Sequence, residues 1–178
     1  MVWTTPLKWG AIGGLVVVIL SFLIYFVSPD SFAASWLAIT FLLIAMFFMI
    51  WGGLAFRKEN NNEISYLNAL FAVLIIAAVL SLISTVFSYV LSNFIDPELP
   101  ELIKQKAIEN TQAMMEKFNT PDDKIEEVID QMKEQDFNFG ILEYGKRFLW
   151  GMLMYLVLGA LIALFVKRNP EKAEVEKV

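Results

Sequence analysis

Residues 64–95 run for thirty-two positions without Asp, Glu, Lys or Arg. Coiled as a helix at about 1.5 Å per residue, such a stretch is roughly 48 Å long. The hydrocarbon core of a bilayer is only about 30 Å thick. A helix that is apolar all round must lie inside a large protein or inside lipid, and 178 residues cannot build an interior wide enough to hide this one. Residues 66–94 are therefore predicted to cross a membrane, either tilted or projecting from one face.

Three further uncharged runs extend the pattern. Residues 9–29 lie between Lys8 and Asp30, residues 31–56 end at Arg57-Lys58, and residues 148–166 sit between Lys146-Arg147 and Lys167-Arg168. Each is close to the twenty or so residues that a helix needs to span. The spans are expected at about 9–28, 34–56, 66–94 and 147–166. Thr5-Pro6 reads as an N-cap followed by proline in the first turn. Ser28-Pro29-Asp30-Ser31 reads as a turn, Trp36 and Trp51 as interfacial anchors, and Ser65 as the cap of the third span. The first run is longer than the apolar part of a signal peptide, and Ala33-Ala34-Ser35 is a poor cleavage site, so removal of this segment is not expected. Overall the chain is 57% hydrophobic, with fifteen Phe and five Trp, against about 45–50% apolar residues in soluble domains.

Residues 96–143 differ in kind, holding thirteen acidic and five basic side chains. Leu99, Leu102, Ile103, Met114, Met115 and Phe118 are expected to share an irregular apolar helix face. Thr120-Pro121-Asp122-Asp123 is a helix start, with acids at the positive end of the dipole. Ile125, Val128, Ile129 and Met132 recur at three- and four-residue spacing and form one stripe of an amphipathic helix, the expected partner surface. The predicted architecture is all-α: one polytopic membrane domain of four transmembrane helices, with an acidic extramembrane hairpin, 96–143, between the third and fourth.

Four spans put both termini on one side. Each side then receives seven Lys and Arg residues, but those on the terminal side lie in short segments, which weigh most in the positive-inside rule. Termini in the cytoplasm and residues 96–143 in the periplasm, or outside, are the expected arrangement, with Lys146-Arg147 arguing against it.

In lipid, helices associate by close approach, so small residues mark seams. Gly10 and Gly14, with Gly13 beside them, have the four-residue spacing, and Gly159 and Ala163 repeat it. Ser81, Ser84, Thr85, Ser88 and Ser92 form a hydroxyl stripe on the third span, where each hydroxyl can bond a carbonyl one turn back. Packing within a four-helix bundle is the plain expectation for these faces; a homo-oligomer seam or a polar pathway are the sharper ones.

The reactive inventory is short. The chain has no Cys and no His, which removes thiol chemistry and the usual neutral-pH acid and base. The net charge of −5 points away from nucleic acid. Span interiors without ionisable groups argue against proton- or ion-coupled transport, but not against a passive path lined by hydroxyls, Asn68 or Asn93. The carboxylates Asp122, Asp123, Glu126, Glu127 and Asp130 could suit a hard cation. They read instead as a solvated helix start, and no metal, cofactor or enzymatic activity is expected.

Several stretches, in order along the chain, carry a likeness. They are Pro6-Leu7-Lys8-Trp9-Gly10, Ile64-Ser65-Tyr66-Leu67-Asn68-Ala69-Leu70, Phe87-Ser88-Tyr89, and Asn93-Phe94-Ile95-Asp96-Pro97. With the acidic insert before the last span, the chain resembles the domain-of-unknown-function 4199 family, small membrane proteins of Bacteroidetes-type bacteria. The resemblance implies a four-span bacterial inner-membrane protein and carries over no catalytic residue. The function expected is that of a non-enzymatic structural or partner-binding accessory protein. Its partners would be the lipid bilayer, a membrane or periplasmic protein, or a second copy of itself. The alternative is a small oligomeric transporter or channel for ions or small solutes.

Overall fold

The computed structural model describes residues 3–134 and 140–168. Among them the chain forms six α-helices: α1 (Thr4–Val27), α2 (Ser35–Glu59), α3 (Tyr66–Val90), α4 (Leu99–Lys117), α5 (Asp122–Glu134) and α6 (Ile141–Val166). A short 3-10 turn, Pro29–Ala33, links α1 to α2, and one wide turn, Leu91–Ile95, prolongs α3. Four of these helices are long and apolar enough to cross a membrane: α1, α2, α3 with its extension, and α6.

The helix ends follow local chemistry. The Ser65 hydroxyl accepts the Asn68 N–H at 3.3 Å, capping α3 as expected. Thr5 does not cap α1. The helix begins at Thr4, and the buried Thr5 hydroxyl donates to the Glu59 carboxylate of α2. Pro6 remains in the first turn, where its missing N–H leaves no helical bond unmade. At the far end of α3, the Asp96 N–H reaches the Leu91 carbonyl at 2.8 Å, an i→i+5 bond. The Asn93 amide donates to the Tyr89 carbonyl at 3.0 Å and so draws that oxygen aside. Asp96 ends the helix twice over. One carboxylate oxygen accepts the N–H groups of Glu98 and Leu99, at 3.1 Å each. The other accepts the Tyr25 hydroxyl of α1 at 3.1 Å.

α3 is the central element and packs against α1, α2 and α6. Its buried side, Ala69, Ala72, Val73, Ile76, Ala77 and Leu80, has the three- and four-residue spacing of a single face. Around it lie Ala45, Met49 and Phe56 of α2 and Ala163 and Val166 of α6, all fully buried. This core occupies the half of the bundle nearer the termini. The same end is fastened by polar contacts. The Arg57 guanidinium donates to the Val166 carbonyl at 3.3 Å, the backbones of Ile64 and Arg168 exchange two hydrogen bonds of 3.2 and 3.1 Å, and the Tyr66 hydroxyl donates to the Ala160 carbonyl at 3.3 Å.

α4 crosses the Pro29–Ala33 turn at the other end, with the Asn110 amide on the Ala33 carbonyl at 3.4 Å. Lys106 pairs with Glu109 at 2.7 Å. Its ammonium pKa is raised chiefly by that bond and charge, with a smaller contribution from Asp30 of the turn below. Leu99 is buried there and Leu102, Ile103 and Met115 are half-buried, but Met114 and Phe118 are 56% and 75% exposed, so the irregular apolar face expected of α4 is formed only in part. α4 ends at Asn119, which takes a left-handed φ of 53°. The N–H of Thr120 then reaches back to the Met115 carbonyl, and that of Asn119 to Glu116. This is the double bond pattern that closes a helix on a left-handed residue. It sets the joint between α4 and α5 at residues 119–120, as the sequence suggested. α5 packs on α4, and the Lys104 ammonium of α4 donates to the Lys133 carbonyl at 2.7 Å.

α6 begins at Ile141, six residues before the span start of 147 read from charge. Hydrogen bonding along a helix continues past a charged residue, so Glu143, Lys146 and Arg147 lie inside the first two turns rather than flanking them.

Candidate functional site

The expected seams can be placed individually. A Cβ on Gly10 would stand 2.8 Å from Val79 Cβ and 2.9 Å from the Ile76 carbonyl oxygen; one on Gly14 would stand 2.8 Å from Ile83 Cβ. Both glycines therefore let α1 press onto α3, and Gly13 admits Leu80 and the Phe48 ring. Gly159 of α6 faces Leu74 and Val73 of α3, and Ala163 is fully buried beside it. Each of these small-residue faces is occupied by a helix of the same chain. Gly52 and Gly53 form an equally tight seam that sequence reasoning passed over. A Cβ on Gly52 would lie 2.6 Å from Ile76 Cδ1 and 2.8 Å from Trp9 Cβ, and Gly53 admits Val73 and Val166. The signal was the recurrence of Ala45, Phe48, Met49, Gly52, Gly53 and Phe56 at helical spacing, all buried on one side of α2.

α6 follows α3 along its whole length. Tyr144 donates its hydroxyl to the Ser88 carbonyl at 3.4 Å, and its ring meets that of Tyr89 edge-on at 5.5 Å. Further down, Ser81 lies beside Met152 Sδ at 3.9 Å. However, the buried residues of α6 are Gly159, Ile162, Ala163 and Val166, all in its last eight positions. Before Gly159 α6 has no buried residue, although Tyr155 packs against the core, and α1 and α6 make no extensive packing seam.

The gap is a cleft of about 320 Å³. Its floor is the hydroxyl stripe of α3: Ser81, Ser84, Thr85 and Ser88. Arg147, Tyr144, Tyr155, Phe148 and the bare backbone at Gly151 form the α6 wall, and Val17, Phe41 and Leu80 supply the apolar side. Ser81 and Ser84 donate to the carbonyls of Ala77 and Leu80, at 2.6 and 2.9 Å, so those two oxygens are satisfied one turn back along their own helix. Ser92, the last hydroxyl of the stripe, is buried in the wide turn and does not line the cleft. Among the described lining residues one is charged, and it is a cation, Arg147. Sequence reasoning found the stripe but not the arginine opposite it, because the two lie on different helices.

The α5 stripe has a different fate. Ile125 and Ile129 are each 8% exposed, turned toward α4, while Val128 and Met132 are half-buried. Of the carboxylates at the start of α5, Glu127 pairs with Lys124 at 2.8 Å and Asp130 with Lys133 at 2.9 Å. Among the described residues no three acidic groups converge on a common point.

Three long apolar helices gathered round a fourth, α3, with two charged helices on the connection between the third and the last, define an all-helical protein of membrane-spanning type. The chain belongs to the family described as Protein of unknown function (DUF4199), which matches residues 8–168. No curated protein matches the chain, and no solved structure matches it.

Proposed function

We propose that this is a non-enzymatic accessory protein of a bacterial inner membrane, working by binding rather than by turnover. Its termini face the cytoplasm, and α4 and α5 form an extramembrane hairpin on the periplasmic side that engages a membrane or periplasmic protein. The observation that carries the reading is the asymmetry of the bundle. One end is packed solid around Phe56, Met49 and Ile76, while the other holds a cleft whose described lining residues are hydroxyls, apolar groups and one guanidinium, none of them a general base of ordinary strength. Ile125 and Ile129 are spent on α4, so the apolar groups left to meet a partner are Met114 and Phe118 at the outer end of α4. Co-purification in mild detergent tests this. The double variant Met114→Ser/Phe118→Ser should lose the proteins that the parent retains while melting at the same temperature, since neither side chain is buried. An unchanged set of companions would remove the hairpin's assigned role.

The orientation is tested separately. The chain lacks Cys, so single cysteines at Asn61 and Lys124 can be labelled cleanly. A membrane-impermeant thiol reagent applied to whole cells should reach position 124 and not 61. Labelling of both from outside would break the threading.

A small oligomeric transporter or channel is the second reading, favoured by the hydroxyl-lined cleft. The solid end weighs against it, because a path from Ser88 toward the termini meets Leu80 and Phe48 packed over Gly13. Solute flux through the purified protein in liposomes would reverse this preference.

A further inference from the structure

We infer that the outer end of α4 lies face-down on the bilayer, with Met114 and Phe118 seated among the lipid headgroups and the first methylenes below them. The inference rests on the reading of the long helices as spans, and it says what these two side chains meet before any companion protein does.

Orientation comes first. The Asn110 amide donates to the Ala33 carbonyl at 3.4 Å, so this side of α4 looks down on the Pro29–Ala33 turn at the end of the bundle. A helix advances about 100° per residue, which puts Met114 and Lys117 within about 40° of Asn110 and Phe118 within about 80°. The buried Leu99 and the half-buried Ile103 lie on that same side, nearer the start of the helix. The opposite side of α4 is occupied. Gln112 and Glu116 share a groove with Ile125 and Ile129 of α5, and Lys104 reaches the Lys133 carbonyl of α5. α5 with its carboxylates therefore rides on α4, away from the turn, and Glu101 falls half a turn round from Asn110 on that upper side. Apolar groups and a lysine below, with acids above, are the division found in helices that lie on a membrane surface.

Reach is the second argument. α4 runs beside the turn, since the Asp30 charge acts on Lys106 and Asn110 meets Ala33. α2 starts just after, at Ser35. α4 continues past Asn110 to Lys117, or about 10 Å at ~1.5 Å per residue, and makes no extensive seam with α2. This length projects beyond the bundle wall, over the lipid that surrounds α2.

Depth is the third. Trp36, in the first turn of α2, is 57% exposed, and tryptophans of this kind settle at headgroup level. It follows Ala33, the residue that holds Asn110, by about one helical turn, ~5 Å. Met114 and Phe118, 56% and 75% exposed, are thus directed into a layer that surface helices penetrate by about 5–10 Å. Lys117 beside them can run its stem along the same layer with its ammonium in the headgroups. A companion protein that takes these side chains has to come through the membrane interface rather than from open solvent.

The test uses the full-length protein, purified free of companions and reconstituted in liposomes of phosphatidylcholine and phosphatidylglycerol. Ala113→Cys carries a fluorophore on the downward side of α4, and Gln131→Cys carries one on α5; the chain has no other cysteine. Lipids bearing a nitroxide near the top of the acyl chain should quench the probe at 113 about three-fold more strongly than the probe at 131. Adding Met114→Ser/Phe118→Ser should bring quenching at 113 down to the level at 131, with the melting midpoint unchanged. Equal quenching at the two positions in the parent would lift α4 off the membrane and overturn the inference. Quenching at 113 that survives the double variant would also overturn it, by removing Met114 and Phe118 as the anchors. Co-purification judges the accessory reading separately: companions lost from the double variant, with the probe at 113 never quenched, would give this face to a protein and not to lipid.

Discussion

Replacing Gly10 with leucine should unfold the α1–α3 seam. Forcing extra methylenes into a filled interior ordinarily costs about 1–3 kcal/mol, occasionally more. Gly10 sits at the severe end of that range because one of its neighbours is backbone. A Cβ there would stand 2.9 Å from the Ile76 carbonyl oxygen as well as 2.8 Å from Val79 Cβ. A side chain could rotate away; the carbonyl belongs to the α3 ladder and cannot move without breaking a helical bond. Gly14→Leu should be comparably damaging, since Ile83 Cβ, 2.8 Å away, is fixed by the α3 backbone and only Cδ1 and Cγ2 can rotate aside. The matched control is Gly151→Ala, which meets open space and should be neutral or stabilising by up to about 1 kcal/mol through helix propensity. Denaturation of the three variants in mixed micelles gives the comparison. An unaltered Gly10→Leu protein would mean that α1 does not lie on α3 as described.

Phe56→Ala should cost about 2–3 kcal/mol in the same assay. In a soluble core, truncating a buried phenylalanine to alanine costs about 3–5 kcal/mol, part of it transfer from water and part the cavity left behind. Helices separated within a bilayer remain in an apolar medium, so the transfer part largely disappears. What remains is lost dispersion contact and the void. Phe56 has both to lose: its side chain is fully buried, and its ring lies 5.0 Å from that of Trp3. Phe94→Ala provides the contrast. Phe94 is 70% exposed, its ring meets that of Tyr89, and its loss should change stability by well under about 1 kcal/mol.

The parts of this fold that could be read from residues alone are those set by composition over long windows or by local chemistry. Four uncharged runs announced four long helices, because nothing but lipid suits a helix apolar on every side. Ser65 announced its cap, and Asn119-Thr120 the joint between α4 and α5, because both depend on bonds made within a few residues. The start of α6 precedes the uncharged run for a physical reason. Charge marks where a chain prefers water, whereas helix length is set by where backbone bonding stops, and between Ile141 and Arg147 the two disagree. Gly52 and Gly53 were overlooked because a glycine pair inside an apolar run has no local consequence; its meaning comes from Trp9, Ile76 and Val166, on three other helices. The cleft was half visible. The hydroxyls of α3 lie on one helix at regular spacing, but their partner Arg147 comes from another, and nothing short of the packing of α6 on α3 brings them together.

The uneven burial along α6 has a mechanical consequence. From Gly159 onward the helix is clenched among α2 and α3, while its first eighteen residues, 141–158, include none that is buried. That makes the upper part a lever with its fulcrum at Gly159. A displacement of the Tyr144 end, whose contacts include the Tyr89 ring and the Ser88 carbonyl, changes the aperture beside Arg147, whereas the same displacement at Ala163 would pry open the interior. Burial along α6 therefore favours yielding at its mouth over yielding at its root.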